Sequence, residues 1–135
     1  MIRFATKNDI SGIIHLATNL NDNFKSTYDI ENYVDNDKYI VLVNEDRFIN
    51  GFLLAYNNID ELELLCIIVE ENHRNKGIGT NLIKKLIATS DNKPIILEVS
   101  DKNKNAINLY EKLNFKNIAI RKNYYKDSDA IIMKR

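Results

Sequence analysis

Leu62-Glu63-Leu64-Leu65-Cys66-Ile67-Ile68-Val69-Glu70-Glu71-Asn72-His73-Arg74-Asn75-Lys76-Gly77-Ile78-Gly79-Thr80 is the stretch on which the fold turns. From Leu64 to Val69 it is continuously apolar, the pattern of a strand buried on both faces and central in its sheet. It then carries two cations, Arg74 and Lys76, two glycines, and the start of a helix over Gly77 to Ser90. Ile78, Leu82, Ile83, Leu86 and Ile87 form the apolar stripe of that helix, with Lys84 and Lys85 off it. The first amides of a helix lack intrahelical partners, and its dipole favours negative charge there. Glycines at 77 and 79 let a phosphate approach the backbone, and Arg74 and Lys76 add charge at the same place. A strand, a glycine loop and a helix in this order predict an anion site at the end of a central strand.

Downstream, Pro94 starts a strand over Ile95 to Val99, and Asn103 to Leu113 reads as a helix with Ala106, Leu109, Tyr110 and Leu113 on one face. Phe115 to Asn123 and Ala130 to Met133 are closing strands. Upstream, Ile2 to Ala5 is a short strand, and Thr6 with Asp9 forms a capping pair for a helix whose apolar residues are Ile10, Ile13, Ile14, Ala17 and Leu20. Tyr28 to Val34 is a weaker helix. Tyr39 to Val43 and Phe48 to Tyr56 make a hairpin around Asn44-Glu45-Asp46. The order predicts a single-domain α/β sandwich with a mixed sheet of six to seven strands and about four helices, built around a parallel strand–helix–strand crossover.

The bulk numbers bound the function classes. A length of 135 residues suits one domain with its own core, so residues 1–135 are read as one unit. Nineteen basic residues balance nineteen acidic ones, so net charge argues for neither nucleic acid nor an anionic membrane as partner. The single cysteine, Cys66, permits no internal disulfide, which suits a reducing cytoplasm. No apolar run approaches the roughly 18 residues of a membrane span, and the N-terminus lacks a signal-peptide core. His15 and His73 are not spaced as a metal site, and no metal is expected.

The loop lacks the G-x-x-x-x-G-K-[ST] of a nucleoside-triphosphate site and the third glycine of the dinucleotide fingerprint. By itself R-x-x-G-x-G is also compatible with a plain turn opening a helix. The whole stretch Leu62 to Ile87, with Arg74, Gly77 and Gly79, resembles the acetyl-CoA-binding core of the GNAT acyltransferase superfamily. Leu97-Glu98-Val99, Asn103, Ala106, Leu109-Tyr110-Glu111 and Phe115, then Arg121 to Tyr125 and Asp129 to Met133, are similar to the bacterial ribosomal-protein alanine N-acetyltransferases. Two departures stand out. Asn114 replaces the usual glycine after Leu113, and Phe24 to Asp29 replaces a Pro-Trp-Ser-like segment that shapes the acceptor site.

The resemblance implies acetyl transfer from acetyl-CoA to an amine by direct attack. The acceptor is then a peptide or protein N-terminus, with a small-molecule amine, or mere binding of acyl-CoA, as alternatives. Such chemistry needs a base for the amine and an acid for the departing thiolate. Glu98, in an otherwise apolar strand, is either outward-facing or desolvated, and the resemblance makes it the base, directly or through a water. Glu61 and Glu63 are alternative bases. Tyr110 on pattern is a core aromatic, and the resemblance makes it the acid. The resemblance also assigns cosubstrate contacts to Ile67, Ile68, Val69, Arg74, Asn75, Lys76, Gly77, Ile78, Gly79, Thr80, Asn103 and Tyr110, with the strand residues acting through their backbone. His73 is placed to touch the cosubstrate, and Tyr124-Tyr125 line the acceptor groove or are plain edge aromatics. Cys66 reads as a core hydrophobe and His15 as structural or exposed. A homodimer is compatible with the sequence.

Overall fold

The computed structural model describes all residues, Met1 to Arg135. Seven strands form one mixed sheet in the order β1 (Ile2–Phe4), β2 (Tyr39–Glu45), β3 (Ile49–Asn57), β4 (Leu62–Val69), β5 (Ile95–Ser100), β7 (Ser128–Lys134) and β6 (Lys116–Tyr125). Only β4 and β5 run parallel, joined through α4 (Ile78–Thr89); all other neighbours are antiparallel. This is the mixed α/β sandwich that the element order predicts.

The alternation of side chains along each strand sorts the apolar residues into two cores. One holds Leu42, Leu53, Leu64, Leu97, Val99 and Met133 from the strands, Leu82, Ile83 and Leu86 from α4, and Tyr110 from α5 (Lys104–Lys112). The other lies under α1 (Ile10–Thr18), α2 (Phe24–Thr27) and α3 (Ile30–Tyr33), and holds Val41, Val43, Phe52 and Leu54 from the strands. Five α-helices are therefore present rather than about four: the expected helix over Tyr28 to Val34 is the single short α3, and α2 just before it is an additional one. Tyr28 between them is extended, with φ −124° and ψ 130°. The first helix stops at Thr18, and Leu20 is exposed instead of joining its stripe. No helix is long and apolar enough to cross a membrane.

The expectation for Leu62 to Val69 needs a correction. The strand has those limits, but only Leu62 and Leu64 are buried; Leu65 to Val69 are half-buried. The strand buried on both faces is β3, from Ile49 to Ala55. The cause lies in the pairing. β4 meets β5 only through Leu62↔Ile95, Glu63↔Ile96 and Leu64↔Leu97, and then the two strands part. At that point β4 bulges, since Leu54 faces Cys66 while Ala55 faces Leu64, which leaves Leu65 as the extra residue. A bulge bends its strand, and here it turns β4 away from β5 and opens a split in the middle of the sheet.

Candidate functional site

The loop before α4 gathers backbone donors without partners. Gly77 is the N-cap of α4 at φ 83°, a left-handed backbone that a side chain disfavours. Asn75 is also left-handed at φ 62°, where asparagine is tolerated. A left-handed residue followed by right-handed ones gathers successive N–H groups into a concavity. None of the amides from Asn75 to Thr80 donates to a backbone carbonyl; the first loop-to-helix bond is Asn81 N–H to Gly77 O at 2.9 Å. Six unpartnered donors at a helix N-terminus, with Lys76 exposed beside them, suit a pyrophosphate. Arg74 is tied back to the strand, its Nε donating to Val69 O at 3.1 Å.

Two close approaches set the loop over the split. A Cβ on Gly51 of β3 would fall 2.9 Å from Ile78 Cγ2, so a bare strand position lets the start of α4 settle onto the sheet. Gly79 lies beside Leu109 of α5 and Val69 and Ile67 of β4. The start of α4, the free end of β4 and the inner face of α5 thus meet around one space. Ile67, Ile68 and Val69 are beyond the last rung to β5, so the edge they turn to that strand has no ladder partner.

The expected catalytic pair is divided between the two faces of the sheet. Leu97 and Val99 of β5 pack in the same core as Tyr110. Glu98, between them, points to the other face, where α1, α2 and α3 lie. It is the first residue of β5 past the last rung, so it stands at the apex of the split. It is not desolvated: its side chain is 28% exposed and its Oε1 is 3.2 Å from Nη1 of Arg121. Arg121 reaches it from β6 across β7, where Arg121 faces Ala130 and the small residue leaves room. The guanidinium also lies 5.4 Å from the centre of the Tyr124 ring.

Tyr110 is buried, with its ring against Phe115 at 5.7 Å. Burial first, and then Cys66 and Tyr125, push its phenol up to about 12, so it keeps its proton at neutral pH. Its hydroxyl has no hydrogen-bond partner in the chain, yet the only buried side-chain oxygen both sealed and unpartnered is Oδ1 of Asp101. The Tyr110 hydroxyl is therefore neither sealed off nor hydrogen-bonded within the core.

Further residues stand around these two groups. Burial pushes the Cys66 thiol up to about 12, which leaves it little thiolate, and its half-buried side chain packs against the core under α1, α2 and α3, as expected of a core hydrophobe. Tyr125 turns inward and Tyr124 stays half exposed, the two rings meeting edge-on at 5.1 Å. Burial, then Glu98 and Tyr124, disfavour ionisation of Tyr125. The turn inward follows from an irregularity in β6 over residues 122–124, where Asn123 is left-handed and its N–H donates to Asp129 Oδ1 at 2.8 Å. Tyr28, read from sequence only as a helix start, donates its hydroxyl to Leu65 O at 3.2 Å. The Arg121–Glu98 pair was equally invisible, since the residues are remote in sequence and lie on non-adjacent strands.

The remaining candidates fall outside this group. Glu63 is exposed on the paired part of β4, and Glu61 lies 3.8 Å from the Lys134 ammonium. Asn103 is the N-cap of α5, its Oδ1 accepting from Ala106 N–H at 3.2 Å, which leaves its amide nitrogen free. His73 is held by Glu70 and the edge of Phe48 rather than extended toward the loop, and His15 is exposed. Asn114 takes the left-handed cap at φ 71°, as its place after the helix requires. No three His, Cys, Asp or Glu side chains are grouped to hold a metal ion.

Residues 8–115 match the Acetyltransferase (GNAT) family model. The N-alpha-acetyltransferase of Saccharolobus solfataricus is 31% identical over 99% of this chain and 91% of its own length. The ribosomal protein bS18-alanine N-acetyltransferase of Escherichia coli is 38% identical over 90 residues, covering 62% of this chain and 61% of that one. A crystal structure of the Escherichia coli ribosomal-protein-S18-alanine N-acetyltransferase superposes with a TM-score of 0.84 at 26% identity, over 99% of this chain and 91% of that one. With the amide cradle, the split between β4 and β5 and these likenesses together, the chain belongs to the GNAT acetyltransferase family.

Proposed function

We propose that this chain moves the acetyl group of acetyl-CoA onto a protein N-terminal α-amine carried by a small first residue such as alanine. The observation that carries the reading is the placement of Glu98 and Tyr110 on opposite faces of one split. A thioester in that split is open to an amine from the Glu98 side and can release its sulfur toward the Tyr110 side. The names of the relatives from Saccharolobus solfataricus and Escherichia coli support the α-amine as acceptor.

Glu98 takes the proton of the incoming ammonium, directly or through a water, and its place at the apex favours it over Glu63 on the closed part of the ladder. Tyr110, protonated at neutral pH, hands its proton to the departing sulfur. Backbone groups of Ile67, Ile68 and Val69 hold the pantetheine arm and polarise the carbonyl. The amides of Asn75, Lys76, Gly77, Ile78, Gly79 and Thr80 receive the pyrophosphate, with charge from Arg74 and Lys76. Asn103 contacts the pantetheine through its free amide nitrogen. No covalent enzyme intermediate is needed when amine and thioester are held side by side. The chain acts in the cytoplasm.

A panel of N-terminal peptides differing in the first residue, incubated with acetyl-CoA and read by mass spectrometry, tests the proposal. Acetylation of the α-amine of alanine- or serine-initiated peptides is expected. Turnover of polyamines or drug amines with no peptide modified would overturn it.

A further inference from the structure

Two residues stand at the apex of the split, just past the last rung between β4 and β5: Glu98 on β5 and Leu65 on β4. Each is held by a side chain from a distant element. Arg121 holds Glu98 from β6. Leu65 is the extra residue of the bulge, with a Cα partner on neither neighbouring strand. Its carbonyl accepts the Tyr28 hydroxyl at 3.2 Å, the one side-chain hydrogen bond that reaches β4 from the α2–α3 segment.

Tyr28 is well anchored for that task. Its ring packs on Phe24 at 5.4 Å, and Phe24 meets Phe52 of β3 edge-on at 5.5 Å. Phe24 and Phe52 are both fully buried. The phenol thus bridges the core under α2 to the one residue of β4 that lacks a ladder partner. Burial, then Cys66, Tyr33, Glu63 and Tyr125, raise Tyr28 above the ordinary phenol range, so the donor proton stays in place. An unpaired bulge residue is a soft point in a strand, and whatever moves Leu65 moves Cys66 to Val69 behind it.

We infer that Tyr28 is a positioning residue for acetyl transfer, which fixes the bulge of β4 through the Leu65 carbonyl and thereby sets the walls of the split around the thioester. The catalytic half of this inference rests on the function proposed above; the structural half, that Tyr28 fixes β4, does not.

Tyr28→Phe removes only the hydroxyl, and Tyr33→Phe is the control, a neighbouring phenol outside the split. With the best peptide acceptor, Tyr28→Phe is expected to lower kcat about tenfold while the KM for acetyl-CoA stays within about twofold, because the amide cradle on α4 is untouched. In the acetyl-CoA complex, hydrogen exchange of the amides from Cys66 to Val69 should quicken in Tyr28→Phe and not in Tyr33→Phe. Unchanged kcat with unchanged exchange would overturn the inference. So would faster exchange across the whole sheet with a matching fall in Tm, which assigns Tyr28 a general structural role. Should the unaltered protein modify no peptide, the acceptor proposal fails by itself. The exchange measurement then still decides whether Tyr28 holds the bulge.

Discussion

Glu98 and Tyr110 lie on opposite faces of the sheet, and the split that opens after the Leu64↔Leu97 rung is what joins them. Side-chain alternation along β5 puts Glu98 on the face away from Leu97 and Val99, which share a core with Tyr110. In an unbroken sheet the two groups would be separated by a ladder of hydrogen bonds. The early end of the β4–β5 pairing turns them into the two sides of one passage.

If the passage is the reaction site, its two sides fail in the same way. Glu98→Gln keeps size and loses the base, and kcat should fall by about 100-fold or more. Tyr110→Phe loses the proton for the sulfur, and kcat should fall about 10- to 100-fold. Calorimetric titration with CoA should give affinities within about threefold of the unaltered protein, since neither group belongs to the amide cradle.

The two glycines of the loop should respond differently. Gly77→Ala forces a side chain into a backbone at φ 83°, where its Cβ would meet only Asn81 Nδ2 at an ordinary 3.9 Å, and should cost about 1–2 kcal/mol through conformation alone. A Cβ on Gly79 would meet Leu109, Val69 and Ile67 only at ordinary contact distance, 3.8 to 4.0 Å, so Gly79→Ala should keep its Tm within a few degrees. If the proposed cosubstrate site is right, calorimetry should show acetyl-CoA binding by Gly79→Ala weakened about tenfold.

Asp9 sets an acid limit on stability. The Arg3 guanidinium binds it through two hydrogen bonds of 2.7 and 2.9 Å, and Thr6 N–H adds a third at 2.8 Å, which lowers its carboxyl from 3.8 to about 2 despite burial. A lowered carboxyl stabilises the fold above its unfolded value. That stability drains as pH falls from 3.8 toward 2. Asp9→Asn should lower stability at pH 7 by roughly 2 kcal/mol and flatten the acid limb, as followed by urea unfolding across the pH range.

Cys66 should be nearly inert. With its thiol pushed up to about 12, almost no thiolate exists at pH 8, and a disulfide reagent should label it slowly until the chain unfolds. Cys66→Ala should keep kcat within about threefold, because the side chain supplies only packing.

The parts of the site carried by neighbouring residues were legible from sequence. The loop is one: Gly77 and Asn75 are the residue types that accept a left-handed backbone, and the cations stand beside the helix start. The parts carried by distant residues were not. Glu98 was readable as a carboxylate in an apolar strand, but not as the partner of Arg121, which sits two strands away in the sheet. Tyr28 looked like the start of one helix because Ile30, Tyr33 and Val34 share its periodicity. Its hydroxyl is used by Leu65, 37 residues downstream.

The sequence by itself determined the local elements and the character of the loop from His73 to Gly79, because periodicity, capping and left-handed turns depend on residues within one or two turns of each other. It also implied, from an aliphatic run, that Leu62 to Val69 is a buried strand. Only the tertiary structure decided that this strand leaves its parallel partner after three rungs. At that point lie the bulge opposite β3, the Tyr28 hydrogen bond to Leu65 and the packing of α4 over Gly51. These are contacts between distant segments, and they convert a buried strand into one wall of the split.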